Sequence, residues 1–295
     1  MNSRTVLVTG AAGGIGQFVV AELVGAGWTV LAVDRVDREL PGVAAQLSGD
    51  LRDPAFVSEC FTGPAARGIG GVGAVVHLAA IPAPTIVAEH ETLLFNAGPA
   101  YLVLTEAGRA GVGRIVASST FSAVGLAWAD RDLSPHYVPV DEQHPILTVD
   151  PYGLSMGVTE QIAAQTTRRF GVATVCLRFP FVGTGARLDH RLAEVHDRPA
   201  GNLRELWAWV DTRDVARAVH ASLTAELTGH HVLNIAAPDT TAIEPTRDLL
   251  HRFHPGTAVR SELANHESLI DTRLAGTVLG FSAKYGWRQN SGGAR

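Results

Sequence analysis

Lysine is nearly absent from this chain. Lys284 is the only one among 24 basic side chains, so almost all the positive charge is arginine. Arginine is a poor replacement where chemistry needs a compact, tunable ammonium. Cysteine is equally scarce: Cys60 and Cys176 are too few for a disulfide framework, and neither has metal-ligand spacing. No basic block or stripe accompanies the formal charge of −5, which argues against nucleic acid as a partner. No apolar run reaches the roughly 18 residues of a membrane span. The opening MNSRTVLVTG enters a strand pattern at once, which leaves no expected signal peptide and makes the cytoplasm the default compartment.

The chain does have 46% hydrophobic residues over 295 positions, enough for a well-buried core. Short β-branched runs alternate with helical patterns. TVLVT (5–9), WTVLAVD (28–34), VAAQL (43–47), VGAVVHLA (72–79), RIVASS (114–119) and VATVCLRF (172–179) read as strands. Helices are expected over 14–26, after Pro54, over 88–110 with a bend or break at Gly98-Pro99, and from about Tyr152. Strands separated by helices imply an α/β fold, a Rossmann-type doubly wound parallel sheet. Residues 181–206, with two glycines, a proline and then Gly201, read as a loop or small lobe. WAWV (207–210) and HVLNIA (231–236) are later strands, and Asp211 or Thr212 can cap the helix between them. The expected division is a dinucleotide-binding domain over 1–180 and a small C-terminal substrate lobe over 181–290. The chain returns to the first domain near 207–236, and 291–295 form a disordered tail.

The strongest local signal is VLVTGAAGGIG (6–16), which follows a strand, opens a helix and precedes a strand ending in Asp34. That is the context a dinucleotide fingerprint requires. Gly10 permits the tight turn, Gly13 allows backbone close to a pyrophosphate, and Gly16 lets helix and strand pack closely. Ala12, Gly14 and Ile15 complete the turn, and the helix start faces phosphate with free N–H groups. A carboxylate at Asp34 accepts both adenosine ribose hydroxyls and repels a 2′-phosphate, which favours NAD over NADP. The neighbouring Arg35 is the one feature that would suit that phosphate.

TGAAGGIG, GDLRD (49–53), HLAA (77–80), Asn96, ASST (117–120), PYGLS (151–155) and LRFP (177–180) occur in that order. Together they resemble the extended short-chain dehydrogenase/reductase family, in particular its NAD-dependent epimerase/dehydratase branch, over about residues 4–236. The resemblance implies that Asp50 and Leu51 line the adenine. Leu78, Ala79 and Ala80 would lie along the path from pyrophosphate to nicotinamide, Ser118 near the cofactor, and Pro180 and Phe181 beside the nicotinamide. Thr120 matches the family's catalytic serine or threonine, and Tyr152 its catalytic tyrosine. Asn96 is either a backbone or catalytic-water anchor or a helix kink. His77 reads as a packed histidine rather than a ligand, and HRFH (251–254) as a helix end rather than a metal site.

One position departs from the family pattern. Four residues after Tyr152 stands Met156, where the family has lysine. Lysine there lowers the tyrosine pKa and holds the nicotinamide ribose; a thioether only packs. His136 and His144, in the loop before this helix, are either surrogate bases at neutral pH or solvated loop residues. Ser119, Thr120, His136, Arg187 and Arg191 are candidate substrate contacts, the two arginines for a phosphate or carboxylate, although a solvated role suits them equally. Three functions remain open: a sugar or sugar-nucleotide epimerase or dehydratase, a net dehydrogenase of an aldose, uronate or similar polyol, and a non-catalytic NAD-binding protein. The resemblance also implies a homodimer packed through two helices per subunit.

Overall fold

A computed structural model describes residues 4–290. The tail assigned to 291–295 lies outside the described residues. Seven strands form one sheet in the order β10-β7-β5-β4-β1-β2-β3, and every pairing in it is parallel. In chain order they are β1 (Thr5–Thr9), β2 (Thr29–Asp34), β3 (Ala45–Ser48), β4 (Ala74–His77), β5 (Arg114–Thr120), β7 (Ala173–Phe179) and β10 (His230–Asn234). Both faces are covered, so the central strands are mostly apolar rather than alternating; β1, β4 and β7 are buried at every position.

One face carries α1 (Gly16–Gly25), α7 (Thr212–Thr224) and α9 (Arg273–Leu279), packed on Val6, Val8, Val30, Val76 and Leu177. The other carries α2 (Pro54–Thr62), α3 (Pro64–Gly68), α4 (Glu89–Arg109) and α5 (Pro151–Phe170), packed on Leu7, Leu31, Val75, Ile115 and Cys176. From β1 the chain builds outward through β2 and β3, then crosses to β4 on the other side. The strand order therefore reverses between β1 and β4, and ligands of such sheets bind at that reversal, beyond the strands' carboxyl ends.

A third core lies beyond that edge. It joins Phe121, Val138 and Val140 to Trp207, Leu249, Leu269 and Ile270, so the lobe draws on residues 121–140 as well as on chain after 181. Its elements are β6 (Tyr137–Val138) paired with β11 (Ala258–Val259), β8 (Phe181–Val182) paired with β9 (Trp209–Val210), α6 (Ala186–Asp197) and α8 (Thr246–Phe253). The short α10 (Trp287–Asn290) closes the described chain.

Two sequence expectations are sharpened by the structure. Of the two readings of residues 181–206, loop or small lobe, the loop does not hold, since they form β8, α6 and a 3-10 turn over Pro199–Glu205. ARLDHRLAEVHD buries Leu188 and Val195 on one helical face, about two turns apart, an amphipathic pattern masked by the glycines in front of it. Nor does Pro99 interrupt α4, which runs unbroken through it. Pro99 forfeits one helical N–H bond, but Ala100, Val103, Leu104 and Ala107 beyond it are all buried in the core. That burial outweighs the local loss.

Candidate active site

The glycine turn fits a pyrophosphate on steric grounds. Gly10 has φ +68°, and a Cβ there would sit 2.7 Å from the Ala79 amide nitrogen. A Cβ on Gly16 would lie 2.0 Å from the Gly10 carbonyl oxygen, so α1 could not start where it does. Gly14 meets nothing within 4 Å, and Gly13 only the Gly10 carbonyl at 3.2 Å, which leaves open space above the turn. Among the described residues, the amides of Gly14 and Ile15 donate to no protein acceptor, the condition for an anion at a helix start.

Asp34 closes the same turn. Its Oδ2 accepts the Ala12 amide at 2.9 Å and its Oδ1 the Val36 amide at 3.0 Å. Two backbone donors thus fix the carboxylate at the tip of β2 before any ribose arrives. Arg35 is exposed beside it. Asp50 is chelated by Arg52, whose Nε reaches both oxygens at 3.0 and 2.8 Å, and that guanidinium holds the carboxyl below its usual range. Leu51 packs into the core beside it. His77 is a packed side chain, its Nδ1 2.8 Å from the Thr9 hydroxyl, and burial lowers it to about 4.

Farther along the edge, Asn96 anchors the chain after β4. Its Oδ1 accepts the Ile81 amide at 2.7 Å, and its Nδ2 donates to the Ile81 carbonyl at 3.1 Å and the Ser155 hydroxyl at 3.0 Å. Ser155 in turn donates to the Tyr152 carbonyl at 2.7 Å, so Asn96 is tied to the first turn of α5. Asp150 caps that turn by accepting the Gly153 amide at 2.8 Å.

Tyr152 is half-buried at this start of α5. Burial pushes its phenol above the usual 10; the Thr120 side chain at the end of β5 pulls it back, and Asp150 raises it again. Thr120 Oγ1 donates to the Ser122 hydroxyl at 3.2 Å and accepts the Ser122 amide at 3.1 Å. One turn along α5 from Tyr152, Met156 is buried at 4% exposure and brings no charge. The site therefore holds a phenol, a hydroxyl donor and an apolar neighbour where an ammonium would act.

Of the other candidates, Ser118 donates to the His77 carbonyl at 3.3 Å. Ser119 is buried, its hydroxyl committed to Glu160 at 2.7 Å. Pro180 and Phe181 follow β7 directly, and both Arg187 and Arg191 stack on the Phe181 ring, at 5.0 and 4.2 Å. Arg191 is paired with Glu205 at 2.6 Å, whereas Arg187, among the described residues, bonds only the Val182 carbonyl, at 2.9 Å. His144 is buried and locked, Nδ1 to the Pro145 carbonyl and Nε2 accepting the His136 amide. Exposed His136 packs against it.

Sequence reasoning missed Glu160 and Arg178. Arg178 on β7 clamps Glu160 on α5 through Nε at 2.7 Å and Nη2 at 2.8 Å, both side chains nearly fully buried. A glutamate eight residues after Tyr152 on one helix face was the available signal. Its partner, in another element, was not visible in the pattern.

A glycine-turn nucleotide cradle and a tyrosine share the carboxyl edge of one parallel sheet, the arrangement of a short-chain dehydrogenase/reductase. The chain belongs to the NAD-dependent epimerase/dehydratase family, whose model matches residues 6–236. It is 31% identical over 201 residues to a UDP-glucose 4-epimerase of Lacticaseibacillus casei, covering 65% of this chain and 55% of that protein. It is 28% identical over 200 residues to one of Rhizobium leguminosarum bv. trifolii, covering 66% and 57%. The chain thus spans little more than half the length of these curated relatives. Among solved structures, MoeE5 in complex with UDP-glucose and NAD superposes with a TM-score of 0.70 at 29% identity, over 97% of this chain and 95% of that one.

Proposed function

We propose that this chain is an NAD-dependent epimerase/dehydratase-type enzyme acting on a sugar nucleotide through a transient ketone. The observation that carries the reading is that Tyr152, in the first turn of α5, and Thr120, at the end of β5, lie on the sheet edge that also holds the glycine turn and Asp34. NAD, when bound, supplies the hydride acceptor. The turn from Gly10 to Gly16 would hold its phosphates, Asp34 its adenosine ribose, and Phe181 one side of its nicotinamide. Tyr152 takes the proton of the reacting hydroxyl and returns it in reverse, while Thr120 holds the phenolic oxygen. Arg187, with no acidic partner among the described residues, is placed to meet a substrate phosphate or carboxylate. Homology with UDP-glucose 4-epimerases and likeness to MoeE5, solved with UDP-glucose, support a uridine-diphosphate sugar.

The test is incubation with NAD and UDP-glucose, with chromatography of the sugar nucleotides and absorbance at the NADH band. Conversion to an epimer or dehydrated sugar without net NADH supports the reading. Stoichiometric NADH supports a net dehydrogenase, which Met156 favours, because no ammonium grips the nicotinamide ribose and the reduced cofactor leaves more readily. No turnover across a panel of sugars and sugar nucleotides, with NAD still bound, would leave a non-catalytic NAD-binding protein.

We also propose a homodimer through α4 and α5. Leu94 and Tyr101, seven residues apart on α4, are 61% and 46% exposed, and Leu154 on α5 is 45% exposed. A monomer in sedimentation at micromolar concentration would contradict this. The free, buried Cys60 and Cys176 support a reducing, cytoplasmic setting.

A further inference from the structure

We infer that Glu160 is a positioning residue for the Tyr152–Thr120 pair, fastening with one carboxylate the three elements that form the catalytic edge. The inference rests on the reading of Tyr152 as acid and base. Glu160 belongs to α5, which also carries Tyr152. It accepts Ser119 from β5 at 2.7 Å, one residue before Thr120. It also accepts two donors of Arg178 from β7, one residue before Phe179 and three before Phe181. Ser119 and Arg178 are direct partners in the β5–β7 register, so the carboxylate grips adjacent positions of two strands.

A buried ion pair is poor evidence for stability, because desolvation offsets its Coulomb gain; a role in fixing one geometry explains its presence better. Geometry matters more here than in a lysine-containing site. Without an ammonium, the phenol depends on how Thr120, at the end of β5, is held against it, and a hydrogen bond there would weaken steeply when misaligned. The pair is also electrically closed. Glu160 left unpaired would act on the phenol from about 12 Å along the helix, at roughly 1.5 Å for each of eight residues. Arg178 Nη1 is buried without a partner, and Glu142, whose Oε1 accepts the Asn234 amide at 2.7 Å, is the second carboxylate near it.

The test reads the phenol itself and needs neither substrate nor NAD. Tyrosines are replaced by a more acidic fluorinated analogue, and the Tyr152→Phe titration is subtracted so that one phenol remains. Ser119→Ala removes the grip on β5 without changing charge. Glu160→Gln with Arg178→Met removes the clamp and keeps the net charge. Both are expected to raise the Tyr152 midpoint by about one pH unit, the worth of one hydrogen bond to a charged group, with Ser119→Thr restoring it. Unchanged midpoints in folded Ser119→Ala protein would overturn the inference even if melting temperature falls, since that is the mark of a merely structural clamp. If the double variant does not fold, Ser119→Ala decides alone. Failure of the functional reading shows separately, as full turnover in Tyr152→Phe.

Discussion

Met156→Lys places an ammonium where the site now has a thioether. Tyr152 and Met156 lie four residues apart on α5, about 6 Å along the helix at roughly 1.5 Å per residue. At an effective dielectric constant near 20, opposite unit charges about 6 Å apart attract by about 3 kcal/mol, which would lower the phenol by about two pH units. Position 156 is only 4% exposed, so burial penalises the new ammonium and takes back part of that gain. The expected net result is a phenol midpoint lower by about one unit, with some loss of thermal stability from the buried charge. Absorbance titration at the tyrosinate band, again relative to Tyr152→Phe, measures the midpoint, and calorimetry the stability. A folded variant whose phenol does not move would refute the reasoning, because it would mean that the two side chains do not share one site.

Other perturbations follow from the same contacts. Tyr152→Phe should lose most turnover, at least about a hundredfold, with NAD affinity within about threefold of wild type by calorimetry. Gly16→Ala should abolish NAD binding or folding, because the new Cβ meets the Gly10 carbonyl at 2.0 Å; near-normal affinity would contradict the close approach. Asp34→Ala should weaken NAD by about ten- to a hundredfold and narrow its preference over NADP, measured by paired titrations. His77 is lowered from 6.5 to about 4 by burial, so its contribution is intact above pH 6.5 and lost as pH falls toward 4. That gap corresponds to about 3 kcal/mol at most, and urea unfolding of His77→Asn should show a flatter acid limb.

What could be read from the sequence was local. β1, the glycine turn and the Asp34 carboxylate follow from a strand, three spaced glycines and a second strand within 34 residues, and the first four sheet crossings follow from alternating periodicity. What escaped depends on partners distant in the chain. β8 pairs with β9, and β6 with β11 more than a hundred residues later, each through two residues too short to show a period. The Glu160–Arg178 clamp joins a helix to the strand that follows it, and it escaped because neither residue belongs to a spacing pattern within its own element. Pro99 misled for the opposite reason: a strong local rule was overridden by the core that α4 covers.

A crystal structure of the protein with NAD bound tests the central claim most directly. Pyrophosphate is expected on the Gly14 and Ile15 amides, the adenosine ribose on Asp34, and the nicotinamide ring beside Phe181 within hydride distance of a substrate carbon held at Tyr152. A nicotinamide lodged away from Tyr152 and Thr120, or a dinucleotide absent from the glycine turn at saturating concentration, would contradict it.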